Sequence, residues 1–232
     1  MTHASIGILG GTGPQGQGLA RHLARGGHPV VLGSRDEGKA VETAAALGVD
    51  GITGGDNATA ADAEVVIVAV PYDGHAALLE SVRDRLVGKI VIDCVNPLGF
   101  DKQGPYVLDV PAGSAAQEAQ QLLPQSRVLA AFHHLSAPVL NNPDTADLDQ
   151  DVLVLGEDRD DVAQVIMIAE ALPGVRGVFA GRLRNAGQVE GLTANIIAIN
   201  RRHKTHAGIK IIGLPSDVLP SDVLPSDRGT KA

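Results

Sequence analysis

The sequence contains very few aromatic residues: no tryptophan, two tyrosines and three phenylalanines among 232 residues. Hydrophobic residues nevertheless make up 44% of the chain, so its core must be built from Val, Ile, Leu and Ala. Aliphatic strands of this kind are typical of a parallel sheet that is buried on both faces. The length allows one full α/β domain and a small second one, and excludes two large domains.

Cysteine and basic residues are also scarce. The single cysteine, Cys94, excludes an internal disulfide, and its place at the end of an apolar run predicts a structural role. Lys and Arg number 19 against 27 Asp and Glu, and the net charge of -8 argues against a nucleic acid or an anionic membrane as partner. The start of the chain has no basic segment and too short an apolar run for a signal peptide or a membrane span, so we expect a cytoplasmic protein.

Histidine is present, but not in a metal-binding pattern. No pair of histidines combines the spacing and the carboxylate partner that a structural or catalytic metal site needs. The sequence therefore predicts no metal.

The first half of the chain alternates short aliphatic runs with amphipathic stretches. This pattern predicts βαβ units, and therefore a Rossmann doubly wound parallel sheet of the α/β class. We predict strands at 5–9, 29–32, 51–53, 65–70, 89–94 and 127–132, and helices at 15–25, 36–47, 74–86 and 114–123. Gly26, Gly27 and Gly48 stand where the helix ends need left-handed residues.

The composition changes to Pro, Asn and Asp over 135–150, which marks a long functional loop or the passage into a second unit. Beyond it we predict strands at 152–155 and 177–179 and helices at 160–171 and 185–202. The sequence thus predicts a Rossmann domain over 1–137, a small C-terminal α+β subdomain over 138–213 and a tail over 214–232. In the tail the five residues LPSDV occur twice and begin a third time, and proline in each copy predicts an extended or disordered segment.

A glycine-rich motif joins the first predicted strand to the first predicted helix. Gly11, Gly13 and Gly16 form the pattern G-x-G-x-x-G, in which glycine allows a tight turn and a close approach of the backbone to a pyrophosphate. The helix N-terminus adds free N–H groups and the positive end of its dipole. In this context the motif predicts a dinucleotide site formed by Gly11, Thr12, Gly13, Pro14, Gln15 and Gly16.

The end of the second predicted strand indicates which dinucleotide binds. NAD-specific sites place an Asp or Glu there for the ribose 2′-hydroxyl, and that carboxylate would repel a 2′-phosphate. This chain has Ser34 and Arg35, with Lys39 one helical turn further on, while Asp36 fits a helix N-cap. NADP is therefore expected rather than NAD, although Arg35 and Lys39 could also be ordinary surface cations.

Several of these motifs together resemble one family. Its most distinctive pieces here are Gly10–Gly13, Gly33–Arg35 with Lys39, His133 within AFHHL, VEGLT at 189–193 and GIK at 208–210. The chain resembles the F420-dependent NADP reductases, also called 8-hydroxy-5-deazaflavin:NADPH oxidoreductases, over about residues 6–212. The resemblance implies an oxidoreductase that passes a hydride directly between NADPH and the deazaflavin coenzyme F420, in a cleft between the Rossmann domain and the C-terminal one.

The resemblance also implies roles for individual residues. Thr12 to Gln15 would hold the pyrophosphate and adenine ribose, and Ser34, Arg35 and Lys39 the 2′-phosphate. The remaining implied positions are Val70, Asn96 and Ala137 along the groove, His133 and Leu135 near the reacting rings, and Ala207 beside the deazaflavin. No compulsory acid or base is expected, because stacked rings need mainly positioning and exclusion of water. The spacing from Pro71 to His75 is one residue longer than in some members, which argues against His75 as an NADP contact.

Some residues allow two interpretations. His133 could contact a ring as a neutral imidazole or simply close a strand end by bonding to backbone. The basic cluster 201–204 could stabilise a helix C-terminus or meet the anionic tail of the deazaflavin. The apolar face of 189–199 could pack in the core or against a second copy, and we expect a homodimer.

Two other functions remain open. One is an NADPH-dependent imine or ketone reductase, of the pyrroline-5-carboxylate reductase or β-hydroxyacid dehydrogenase type. Those enzymes usually carry a larger all-helical second domain, whereas this chain is predicted to have strands there. The other is a sensor that binds NADP without turning it over.

Overall fold

The structure is a computed structural model that describes residues 3–214. Its main feature is a six-stranded parallel sheet in the order β3-β2-β1-β4-β5-β8. These strands are β1 (Ile6–Leu9), β2 (Val30–Ser34), β3 (Ile52–Asp56), β4 (Val65–Val68), β5 (Ile90–Asp93) and β8 (Arg127–Ala130). The order reverses between β1 and β4, and ligands of doubly wound sheets bind at such a reversal. The predicted fold class is confirmed.

Helices cover both faces of this sheet and complete its crossovers. In chain order they are α1 (Pro14–Arg25), α2 (Glu37–Leu47), α3 (Asn57–Ala61), α4 (His75–Val82) and α5 (Ala115–Leu122). Alternate strand residues serve the two faces: Ile6 and Ile8 pack in one apolar cluster with α1, while Val66 and Val68 pack in the other with α4 and α5. Burial on both faces explains why these strands are aliphatic throughout.

The second half adds a smaller layer. It contains α6 (Ala137–Asn141), β9 (Gln150–Val154), α7 (Arg159–Glu170), β10 (Val175–Phe179) and α8 (Ala186–His203). β9 and β10 form a parallel pair, and an isolated bridge between Ala130 and Leu155 links this pair to the end of β8. The N–H of Asp151 in β9 donates to the carbonyl of Ile209 at 2.8 Å, and this bond fixes the segment after α8 against β9.

The predicted elements are all present, with shifted ends and some omissions. An antiparallel hairpin, β6 (Leu98–Asp101) and β7 (Gly104–Val107), was not predicted, because glycine and proline interrupt its alternation of polar and apolar residues. The short helices α3 and α6 were also missed. The helix predicted at 74–86 ends at Val82 and continues as a 3-10 turn at Arg83–Arg85.

The glycine predictions were mostly correct. Gly27 and Gly48 adopt φ values of 94° and 61°, as expected for left-handed helix ends, but Gly26 has φ -75° and is not left-handed. The repeat tail lies outside the described residues, apart from Leu214. Across residues 3–214, no helix has both the length and the hydropathy that crossing a bilayer requires.

Candidate active site

The loop between β1 and α1 depends on glycine for its close packing. Gly10 has φ 70°, in the left-handed region. A Cβ on Gly11 would lie 2.8 Å from Leu32 Cδ2, and one on Gly16 only 2.6 Å from the Cα of Gly11. At Gly13, in contrast, the nearest atom to a Cβ would be the Gly10 carbonyl oxygen at 3.5 Å. The absence of a side chain at Gly11 therefore allows the loop to pack against β2, and its absence at Gly16 allows the loop to pack against α1. The space beside Gly13 is accessible to a ligand.

The same loop presents the start of α1. Gly13 is the N-cap and makes no side-chain capping bond, and Pro14 is the first helical residue. Helix geometry leaves the N–H groups of Gln15 and Gly16 without acceptors inside the helix, which is the arrangement that binds phosphate in dinucleotide sites. Asn57 Oδ1 accepts from the Gly10 N–H at 3.2 Å and so braces the loop. Sequence reasoning missed Asn57, which stands in the unpredicted helix α3.

The end of β2 has the polarity expected for a phosphate site. Ser34 is buried and its hydroxyl oxygen accepts from the N–H of Asp36 at 3.1 Å, so its proton stays available for donation. The Asp36 carboxylate caps α2 by accepting from the Lys39 N–H at 3.1 Å, as predicted. Within residues 3–214 the side chains of Arg35 and Lys39 are exposed and have no hydrogen bond or ion pair. Two cations are thus left unneutralised beside a serine donor.

A cleft of about 940 Å³ extends from the start of α1 across the carboxyl ends of β4 and β5 to α8. Most of the predicted groove residues line it, namely Gly13, Pro14, Gln15, Val70, Asn96, His133, Leu135 and Ala137. The other predicted residues lie outside this lining: Gly11, Thr12, Gly16, Ser34, Arg35, Lys39 and Ala207. Ala207 follows the lining residues Thr205 and His206, and its N–H donates to Asn200 Oδ1 at 2.6 Å.

His133 is the most unusual side chain of the cleft. It is 3% exposed, and neither ring nitrogen has a hydrogen-bond partner among the described residues. Burial lowers the pKa of this imidazole to about 4, despite the opposing charge of Asp93, so the ring is neutral at physiological pH. The interpretation of His133 as a histidine bonded to backbone is therefore wrong. Buried polar atoms without hydrogen-bond partners are rare. Here the two ring nitrogens mark a place where a bound ligand can supply the missing partners.

The backbone around His133 is held from three sides. Phe132 has φ 66°, which is uncommon for a bulky residue and turns the chain sharply after β8. Gln15 Nε2 donates to the Phe132 carbonyl at 3.3 Å. The carbonyl of His133 accepts from Asn96 Nδ2 at 2.8 Å and from Thr193 Oγ1 at 3.3 Å. Contacts from α1, from the loop after β5 and from α8 thus converge on two residues.

Three other polar side chains of this region each have at least one hydrogen-bond partner, although His134 Nδ1 has none among the described residues. His134 is buried and its Nε2 bonds to the Asp151 carbonyl at 2.6 Å. His75 is buried between two carboxylates, Asp93 and Glu118. Cys94 donates to the Val68 carbonyl at 2.9 Å, and burial raises the pKa of its thiol, as a structural cysteine requires.

Cationic residues surround the far end of the cleft. Arg201, Lys204 and His206 line it where α8 ends. Arg201, Arg202 and His203 occupy the last turn of α8, which also suits the helix dipole, and the Arg201 guanidinium lies 5.9 Å from the centre of the Phe100 ring. Both interpretations of the basic cluster are thus compatible with its position.

The doubly wound sheet, the glycine loop at its topological reversal and the cations after β2 define a dinucleotide-binding oxidoreductase of the Rossmann class. Comparison with known proteins makes this specific. A family profile described as "NADP oxidoreductase coenzyme F420-dependent" matches residues 5–97. An F420-dependent NADP reductase of Methanothermobacter marburgensis is 39% identical over 225 residues, covering 90% of this chain and 99% of the relative.

Two further relatives agree. An F420-dependent NADP reductase of Methanothermobacter thermautotrophicus is 37% identical over 224 residues, covering 90% of this chain and 95% of its own. A crystal structure from Arthrobacter sp. FB24, provisionally described as an F420-dependent NADP reductase, superimposes with a TM-score of 0.78 at 26% identity. The superimposed region spans 99% of the Arthrobacter chain and 90% of this chain. The chain belongs to the family of F420-dependent NADP reductases.

Proposed function

We propose that this protein is an enzyme that transfers a hydride between NADPH and coenzyme F420. In one direction NADPH, oxidised F420 and a proton give NADP⁺ and reduced F420, and the reaction is reversible. Beside family membership, one observation carries the proposal. A single cleft connects the glycine loop between β1 and α1 to the unpartnered imidazole of His133 and to α8. Its volume of about 940 Å³ is large enough for two stacked rings.

The NADP end of the site fits the residues that the sequence indicated. The open side of Gly13 and the N–H groups of Gln15 and Gly16 would hold the pyrophosphate, with Thr12 beside them. Ser34 would donate to the 2′-phosphate, while Arg35 and Lys39 would pair with its charge. Asp36 does not oppose this, because its carboxylate is engaged as a helix cap.

At the reacting end the protein mainly positions and shields. When bound, the two cofactors supply the chemistry, a hydride passing between nicotinamide C4 and deazaflavin C5. Val70, Leu135 and Ala137 would provide apolar walls that exclude water from the rings. His133, neutral and unpartnered, would donate or accept one hydrogen bond at a polar ring edge. No side chain is required as a general acid or base.

The C-terminal part would complete the deazaflavin site. We propose that residues 1–137 bind NADP, and that residues 138–213 close the cleft, with Ala207 beside the deazaflavin. Arg201 and Lys204 lie where an anionic tail of phosphate and glutamates would leave the cleft. A cytoplasmic location remains our expectation.

We further propose a homodimer. Leu192 and Ile199 on α8 are 39% and 46% exposed, and Phe100 and Val107 of the neighbouring hairpin are 59% and 55% exposed. Exposed apolar side chains on adjacent elements are typical of an association surface. Sedimentation at micromolar concentration tests this, because a monomer there would exclude the dimer.

The decisive experiment mixes purified protein with oxidised F420 and NADPH while absorbance is followed at the deazaflavin band. A parallel reaction contains NADH. Bleaching with NADPH and little with NADH is the expected result. Binding of NADPH without bleaching would overturn the proposal and favour an imine or ketone reductase, or an NADP sensor.

A further inference from the structure

A chain of buried polar groups lies beneath the cleft and has no part in the hydride transfer described above. His75, the first residue of α4, is fully buried, as is Asp93 at the end of β5. The Nε2 atom of His75 lies 2.6 Å from Asp93 Oδ2, and its Nδ1 atom lies 2.9 Å from Glu118 Oε2 on α5. The Tyr72 hydroxyl donates to the other oxygen of Glu118 at 3.3 Å.

This arrangement requires a charged imidazole. Each ring nitrogen of His75 faces a carboxylate oxygen, and a carboxylate can only accept. A neutral ring would therefore direct one lone pair at an anion inside the protein. Burial alone would lower the pKa of His75, but the hydrogen bond and charge of Asp93, followed by those of Glu118, raise it to about 9.

Other titratable groups surround this cluster. Glu190 on α8 accepts from the N–H groups of Ala115 and Ala116 at 2.9 and 3.1 Å, and burial raises its pKa to about 7. The pKa of Tyr72 is raised by burial and then by Glu118, so this hydroxyl stays neutral. His133, on which the charge of Asp93 also acts, is neutral as well. His75 is thus the cation among three neighbouring carboxyl groups.

The cluster connects the two loops that form one wall of the cleft. Tyr72 belongs to the loop 69–73 after β4, and Asp93 leads into the loop 94–96 after β5. The second oxygen of Asp93 accepts from the N–H of Val95 at 3.0 Å, and the next residue, Asn96, holds the His133 carbonyl. A change at His75 can therefore reach His133 through only a few direct contacts.

We propose that His75 is a positioning residue: its imidazolium bridges Asp93 and Glu118 and so fixes the two loops against which the nicotinamide half of NADP(H) packs. The proposal rests on the function above only in taking NADP(H) as the nucleotide of the cleft. Because His75 is charged below its folded pKa, its bridge persists through neutral pH and is lost as pH rises through about 9. The affinity for NADPH should fall over the same interval.

Two measurements on the full-length protein test this. The first records the ring nitrogens of His75 by ¹H–¹⁵N NMR from pH 6 to 10, with His75→Gln to assign the signals. Both nitrogens should carry protons up to about pH 8 and titrate near 9. The second measures the NADPH dissociation constant by fluorescence over this range. His75→Gln should raise it roughly tenfold at pH 7.5 and abolish its change near pH 9.

Two further variants distinguish the positioning role of His75 from a general loss of structure on replacing a buried histidine. His28→Gln is the matched control, because His28 is also buried but bonds to the Ala4 carbonyl. His28 stands just before β2, at the amino-terminal end of the strands, whereas the cleft lies at their carboxyl ends. This control variant should leave both the NADPH affinity and its pH dependence unchanged. Glu118→Gln alters a side chain that is 23% exposed and should lower the pH at which His75 titrates while the protein stays folded.

The outcomes are separable. A His75 ring with one unprotonated nitrogen between pH 6 and 8, or a His75→Gln variant with wild-type NADPH affinity, overturns the positioning role. Wild-type protein that binds no NADPH overturns the proposed function itself, and the role with it. If the protein does not bleach F420 but the NMR and NADPH-binding measurements on His75 give the expected results, only the proposed hydride transfer to F420 is overturned.

Discussion

The side-chain amide of Asn96 donates to the backbone carbonyl of His133 at 2.8 Å and thereby joins the loop after β5 to the turn after β8. The Thr193 hydroxyl of α8 lies 3.3 Å from the same carbonyl and 3.3 Å from Asn96 Oδ1, so its single proton is shared between these two acceptors. Residues from two other elements, the loop after β5 and α8, thus fix the backbone of the buried imidazole. Hydride transfer between stacked rings depends on such positioning, so contacts remote from the reacting atoms become testable.

Asn96→Ala should lower kcat for F420 reduction roughly tenfold, because the His133 carbonyl keeps only its weaker contact with Thr193. The thermal midpoint should change little. Asn195→Ala, at an exposed position of α8, is the control and should behave as wild type. Unchanged kcat in Asn96→Ala would show that the contact does not matter for catalysis.

Arg35→Ala should raise the KM for NADPH about ten- to a hundredfold, since a hydrogen-bonded charge pair with the 2′-phosphate is lost. The KM for NADH should hardly change, because NADH carries no such phosphate. Arg83→Ala removes an exposed arginine outside the site and serves as the control. Equal effects of Arg35→Ala on both nucleotides would refute the assignment of the phosphate site.

Substitutions at two glycines of the loop between β1 and α1 should have different effects, one on NADPH binding and the other on stability. Gly13→Ala introduces a methyl group whose nearest neighbour is the Gly10 carbonyl oxygen at 3.5 Å, at φ -75°, so the fold should persist while the NADPH dissociation constant rises about tenfold. Gly16→Ala places a methyl 2.6 Å from the Gly11 Cα and should destabilise the protein by about 1–3 kcal/mol. Calorimetry and NADPH titration of both variants give the comparison. Similar losses of stability in both would contradict the distinction.

Glu190 should make stability depend on pH. Its folded pKa is raised from 4.5 to about 7, so the folded state binds the proton more tightly than the unfolded state does. The contribution of Glu190 to the free energy of unfolding should therefore decline as pH rises from about 4.5 through 7, while the lowered pKa of His133 contributes a rise between about 4 and 6.5. His75, whose pKa is raised from 6.5 to about 9, adds a decline between those two values.

Chemical denaturation at pH 5, 6, 7 and 8 measures this dependence. The free energy of unfolding of wild type relative to Glu190→Gln should fall as pH rises from 5 to 8, and Glu80→Gln, at an exposed position, should follow wild type at every pH. A difference between wild type and Glu190→Gln that stays constant from pH 5 to 8 would contradict the raised pKa.

The helices and strands were predictable where periodicity is strong. The aliphatic runs that became β1, β4, β5 and β8, and the helices that connect them, follow from local pattern alone. The hairpin of β6 and β7 was missed, since its alternation is interrupted and β7 packs against α8, which is distant in sequence. The short helices α3 and α6 carry too few residues to give a periodic signal.

The candidate site was predictable in part. The glycine loop and the group of Ser34, Arg35 and Lys39 are each local in sequence, so a motif can mark them as candidates for binding NADP. Asn57 and Thr193 were not identified as site residues, because they reach the loop and the His133 carbonyl from distant parts of the chain. The roles of Leu135, Ala137 and Ala207 remain predictions from family resemblance.

The sequence by itself determined the fold class, the position of the phosphate loop and the preference for NADP, because each depends on neighbouring residues and local backbone geometry. Only the tertiary structure decided the states of the histidines. His75 is a cation because Asp93 and Glu118, 18 and 43 residues away, enclose it. His133 is neutral because burial outweighs the more distant charge of Asp93. Charge states in a protein interior are set by neighbours in space, and long separations along the chain conceal those neighbours.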